Sequence, residues 1–126
     1  MAVRSAKELT VYIRAFELAM RIFQISKQFP AEEKYGLTSQ IRRSSRSICM
    51  NLREAWAKRR YHAHFVSKLT DCDGENSETD TSLDFALAWM YITSEEHRDL
   101  VQCCNEIGKM LGSMINSPEP FLLSDP

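Results

Sequence analysis

The run LTVYIRAFELAMRIFQISKQF, Leu9 to Phe29, decides the fold. Laid out at 3.6 residues per turn, it is apolar on two sides. Leu9, Ile13, Phe16, Met20 and Phe23 make one stripe with alternating spacings of four and three. Val11, Ala15, Leu18, Ile22, Ile25 and Phe29 make a second, about 200° away. Ser5 with Glu8 three residues later has the spacing of a capping box, and Pro30 stops the helix, which is expected to run roughly 6–28. An outer helix of a monomeric bundle needs only one apolar stripe. The second stripe, carrying Ala15, Leu18 and Ile22, is therefore expected to pack on another subunit or on an unusually enveloping neighbour.

The same period continues outward. Leu37, Ile41, Ser45, Ile48 and Leu52 mark the inner face of a second helix over 37–57, and the basic triplet Lys58, Arg59, Arg60 follows it. A third pattern runs Phe65, Leu69, Cys72, Asn76, Thr79, Leu83, Ala86, Met90. Its middle is locally weak: Gly74 costs about 1 kcal/mol relative to Ala, and the neighbouring Asp, Asn, Ser and Thr are poor formers. Tertiary packing must hold that stretch. Thr93 with Glu96 opens a fourth helix bearing Leu100, Val101, Cys104, Ile107, Leu111, Met114 and Ile115, which ends near Asn116 ahead of Pro118 and Pro120. Strand-like alternation is absent, so the fold class is all-α. Short connections favour an up-down-up-down antiparallel four-helix bundle over residues 1–117, followed by a tail, 118–126, whose Phe121, Leu122 and Leu123 can dock.

The back of the third helix is built of small residues at helical spacing: Ala63, Ser67, Thr70, Gly74, Ser77, Thr81 and Ala88. A solvated face would carry Lys, Glu, Gln and Arg, so a helix is expected to pack there. Ser67, Gly74 and Ser77 join Ala15, Leu18 and Ile22 as candidate residues of a homo-oligomer interface.

With 126 residues, 44% of them hydrophobic and 26% charged, the chain is a single globular domain rather than a disordered or collagen-like one. Its net charge of -1 hides a division: residues 1–70 hold 14 Lys/Arg against 5 Asp/Glu, residues 71–126 hold 2 against 12. The halves attract, and any polyanion binding has to come from a local patch. No apolar run reaches the ~20 residues that span a bilayer, and the N-terminus lacks the pattern of a signal peptide, so the expectation is cytoplasmic with no membrane partner. Cys103 and Cys104 are adjacent while Cys49 and Cys72 stand alone, which reads as buried thiols rather than disulfides or zinc. Asp71-Cys72-Asp73-Gly74-Glu75 opens like a calcium loop but has Asn76 at its sixth position and Ser82 at its twelfth, in place of Gly and Glu. No Glu-x-x-His pair or nucleophile constellation is present, so neither a metal, a cofactor nor catalysis is expected.

The remaining chemistry is cationic. Arg42, Arg46, Arg53 and Arg60 share one flank of the second helix if it persists, at a spacing that can follow phosphates. Asp71, Glu75 and Glu78 on one flank of the third helix, and Asp73, Asp80 and Asp84 on the other, compete for them. Pairing with these acids is the leading reading of the arginines. A Glu78–arginine pair inside the bundle costs on the order of 3 kcal/mol to break. Arg43, Lys58, Arg59 and Arg60 are the cations expected to escape such pairing and to contact RNA or DNA, with Trp56, Tyr61 and Phe65 nearby as stacking or packing aromatics. The expected function is a non-enzymatic binding module, with a protein–protein scaffold as the alternative.

The run Glu33-Lys34-Tyr35-Gly36-Leu37-Thr38-Ser39-Gln40-Ile41-Arg42-Arg43-Ser44, then Ser47-Ile48 and Asn51-Leu52-Arg53-Glu54, resembles a bacterial four-helix-bundle family. That family was first noticed in intervening sequences of large-subunit ribosomal RNA genes. The likeness extends from about Leu9 to Ile115 and includes the Phe29-Pro30 turn, an acid near Glu78, and the Ile107-Gly108-Lys109-Met110-Leu111 run. Cys49 replaces the family's usual Pro and Ala55 its usual Gly. The resemblance implies a ring, a homopentamer. The family is also distantly similar to the accessory variability protein of diversity-generating retroelements, whose basic bundles bind nucleic acid and a reverse transcriptase.

Overall fold

The computed structural model describes residues 3–123, so the outermost residues of the expected bundle and tail lie outside the described residues. Among the described residues there are four α-helices: α1 (Thr10–Ile25), α2 (Leu37–Ala57), α3 (His62–Ala88) and α4 (Ser94–Asn116). Among the described residues there is no strand. Helix α1 packs on α2 and α4, and α3 packs on the same two, so α1 and α3 occupy opposite corners. Cross-helix contacts run in opposite senses along every neighbouring pair. Cys49 reaches Tyr12 while Arg42 reaches Ser26; Lys68 reaches Glu54 while Arg43 reaches Glu78. Asn76 meets Cys104 and Asp84 meets His97; Arg14 meets Glu106 and Gln28 meets Glu96. This is the antiparallel, up-down-up-down bundle that short connections favour.

Local chemistry sets the ends. Ser5 accepts from the Lys7 amide, but Glu8 bonds the Arg4 amide, and Ala6–Glu8 form a 3₁₀ turn before α1 begins. Glu33 Oε1 accepts the Leu37 amide at 3.1 Å, satisfying a free donor at the start of α2. The Thr93/Glu96 capping box is formed in both directions. Helix α3 ends two residues before its expected last inner position: Met90 has φ 61° and is 88% exposed. The Tyr91 amide bonds the Ala86 carbonyl and the Met90 amide that of Leu87, the double closure of a Schellman motif with methionine at the left-handed position that glycine usually fills.

The core collects Leu18, Ile22, Ile41, Ile48, Phe65, Leu69, Leu83, Ile107 and Leu111, all fully buried. It includes a polar layer. Ser44 and Thr79 share a buried 2.8 Å hydrogen bond, Thr79 also donates to the Glu75 carbonyl, and Asn76 donates to the Cys104 carbonyl at 2.9 Å. The Asn76 Oδ1 has no partner. These contacts hold the middle of α3, where propensity alone would not. Beyond α4, Glu119–Phe121 form a 3₁₀ turn that sets the Phe121 ring 6.4 Å from Phe65, and the Leu123 amide bonds the Arg59 carbonyl.

Candidate functional site

The α2 arginines go to four different environments. Arg42 donates from Nε to Ser26 Oγ at 2.7 Å and lies 4.7 Å over the Phe23 ring, fixed against α1. Arg43, expected to be free, is occupied: it spans Glu75 at 3.1 Å and Glu78 at 2.7 Å. The hydrogen bond to Glu78 is the main cause holding its pKa above the usual guanidinium value. Arg43 sits about 100° round the helix from Arg42 and so turns toward α3, where the acids of the antiparallel partner wait. Arg46 bonds only the Arg42 carbonyl, and no carboxylate pairs with Arg53 among the described residues.

The basic triplet divides as well. Helix α2 stops at Ala57, so Arg60 leaves the row that a continuous helix would have made. Lys58 and Arg60 are exposed, with no carboxylate partner among the described residues. Arg59 is packed: its guanidinium stacks 3.7 Å from the Trp56 ring centre and donates to the Trp56 carbonyl at 2.8 Å. Burial lowers its pKa without discharging it. Trp56 is thereby covered and Phe65 is fully buried, which leaves Tyr61, 59% exposed, as the open aromatic. Arg46 and Arg53, members of the row expected to be taken up by α3 acids, are left without a carboxylate among the described residues. They stand seven residues apart, about 10 Å along one face, and that spacing was their signal.

The acids of α3 meet cations at the surface, not inside. Glu78 and Arg43 are each about half exposed, with side chains at 51% and 50%. A pair so placed is worth about 0.5 kcal/mol in place of the larger cost expected of a buried one. Lys68 takes Glu54 and Asp71, and Asp84 takes His97. Residues 71–82, the stretch that opens like a calcium loop, are helical throughout.

All four cysteines are free and buried. Desolvation pushes Cys49 up to about 11 and Cys72 and Cys104 up to about 12, so these thiols stay protonated at neutral pH. Among the described residues no group of three or more His, Cys, Asp or Glu side chains is placed to hold a metal.

The two faces of α1 are reversed relative to expectation. Ala15, Leu18 and Ile22 are 0% exposed and form the protomer's own core, so they are not available to another subunit. The stripe left outside is Ile13, Phe16, Met20 and Phe23, at 46%, 51%, 50% and 44% exposure. On α3, Ser67, Gly74 and Ser77 are exposed within the protomer.

Residues 7–113 match the family described as 23S rRNA-intervening sequence protein. The chain belongs to that family. A crystal structure of a protein with unknown function from the S23 ribosomal protein family of Bacteroides thetaiotaomicron VPI-5482 is 31% identical, with a TM-score of 0.77 over 86% of this chain and 100% of that one. No curated protein matches the chain. In this member of the intervening-sequence family, Cys49 and Ala55 lie buried within an unbroken α2, where the resemblance implies proline and glycine. No helix among the described residues is long and apolar enough to cross a membrane.

Proposed function

We propose that this protein is a non-enzymatic, oligomeric helical binding module that takes a polyanion, RNA or DNA, on the exposed cations of α2 and its C-terminal turn. The observation that carries the reading is the division among the cations: α3 acids consume Arg43 and leave Lys58, Arg60, Arg46 and Arg53 without carboxylates. Unpaired guanidinium and ammonium groups along a helix and its C-terminal turn track phosphates and release counterions, with little sequence preference. In an assembled ring, five copies by family resemblance, weak patches repeat and gain avidity. The buried, protonated thiols supply no nucleophile.

Titration of labelled single-stranded RNA and duplex DNA at two ionic strengths tests this. The native chain is expected to bind at ~50 mM salt, to weaken steeply by ~200 mM, and to lose most affinity in a Lys58→Ala/Arg60→Ala/Arg53→Ala variant. No binding at low salt, or equal binding by the variant, rejects the site. That outcome favours the second reading, a protein–protein scaffold, which the outward apolar face of α1 supports independently.

A further inference from the structure

Between the end of α1 and the start of α2 lies a groove of about 390 Å³, a volume in the range of small-molecule sites. Ala19 and Phe23 of α1, Lys34 and Tyr35 of the connection, and Thr38, Arg42 and Arg46 of α2 line it, and no carboxylate does among the described residues. Thr38, Arg42 and Arg46 recur every four residues, so one face of α2 carries all three. None of Lys34, Arg42 and Arg46 is in an ion pair among the described residues. The adjacent Glu33 is turned away: its Oε1 accepts the Leu37 amide and its Oε2 the Tyr91 hydroxyl. Both guanidinium groups are held before any ligand arrives. Arg42 donates from Nε to Ser26 and from Nη2 to the Phe23 carbonyl, which leaves Nη1; Arg46 donates from Nε to the Arg42 carbonyl, which leaves both Nη groups. Donors fixed in advance lose little freedom on binding. Three cations sharing one groove without an acid repel one another, and an anion relieves that repulsion. Beside them Tyr35 is 86% exposed, with Lys34 Nζ 5.4 Å over its ring, so the other ring face is open.

We infer that this groove binds a phosphorylated nucleoside, with Arg46, Arg42 and Lys34 on the phosphate and the Tyr35 ring against the base. Guanidinium groups with free Nη donors match phosphate oxygens, and the Thr38 hydroxyl adds a neutral donor on the same wall. Inorganic phosphate alone would leave the aromatic wall unused, and a sugar phosphate has no planar group to offer it. A nucleobase does, and stacking on a tyrosine accepts any of the bases. The same chemistry has two sources, a free mononucleotide and the phosphorylated end of a single strand. The groove shares Arg46 with the polyanion surface proposed above but uses none of Lys58, Arg60 and Arg53, so either reading can fail without the other.

The test is isothermal titration calorimetry of the full chain at ~50 mM salt with adenosine 5′-monophosphate, adenosine and inorganic phosphate. The monophosphate is expected to bind at least about tenfold more tightly than either of its parts. Lys34→Gln/Arg46→Gln should weaken it by about tenfold or more, and Tyr35→Leu by about tenfold while leaving inorganic phosphate unchanged. All three positions are exposed, so these variants keep the native fold. The Lys58→Ala/Arg60→Ala/Arg53→Ala variant should bind the monophosphate as the native chain does, even where it has lost RNA. A single-stranded oligonucleotide with a 5′-phosphate, set against the same strand with a 5′-hydroxyl, separates the sources. A gain from the phosphate that Lys34→Gln/Arg46→Gln abolishes assigns the groove to strand ends; no gain, with the monophosphate bound, assigns it to the free nucleotide. The inference is overturned if neither the monophosphate nor the phosphorylated end binds, if adenosine binds as tightly as the monophosphate, or if the Lys34/Arg46 and Tyr35 variants keep native affinity.

Discussion

Ala15→Glu is expected to unfold the protomer, with no cooperative urea transition left to measure. Ala15 is fully buried in the aliphatic stripe with Val11, Leu18 and Ile22. A glutamate there adds four heavy atoms beyond Cβ to a filled core and brings a carboxylate with no cation inside. Overpacking costs about 1–3 kcal/mol, and an unpaired buried charge several more, against a total of about 5–15 kcal/mol for a domain. The neighbouring Phe16→Glu changes a half-exposed side chain and should shift stability by less than about 0.5 kcal/mol. The contrast between adjacent positions is the diagnostic. An Ala15→Glu chain that melts like the native protein would return that stripe to the surface and undo the assignment of the two faces.

Phe65→Ala should cost about 4 kcal/mol in urea unfolding. Phe65 is the largest fully buried side chain, and its ring neighbour Phe121 belongs to the turn beyond α4, so truncation also loosens the docking of that turn. The beginning of α3 depends on this anchor: Tyr61 at the N-cap offers no side-chain cap. A loss below about 1.5 kcal/mol would mean that the site collapses around the deletion, and that the end of the chain is not held through this contact.

Helix placement was legible where a stop or start is written in the chain: Pro30 after α1, the Thr93/Glu96 box at the start of α4, and Pro118 after its end. The inner stripes of α2, α3 and α4 were legible for the same reason that they are buried, since each has one apolar face and one polar or small one. Helix α1 was not, because both its stripes are apolar and periodicity cannot choose between them. Composition held a hint. The buried stripe is aliphatic, whereas the exposed one carries Phe16, Met20 and Phe23, residue types that favour interfaces. The Arg43 pairing required a register. Arg43 with Glu75 and Glu78, and Glu54 with Lys68, lie at similar distances on either side of residue 60, so a tight hairpin between α2 and α3 predicts both pairs. Met90 escaped because a left-handed methionine carries no sequence mark of the kind glycine gives.

The mass of the native chain in solution bears most directly on a module that works as an assembly. Light scattering coupled to size exclusion across the micromolar range should give a fixed multiple of the 14.6 kDa protomer, five being the multiple that family resemblance implies, with no change on dilution within that range. A mass of 14.6 kDa at every concentration would contradict the account: the apolar face of α1 would then stand open in a monomer.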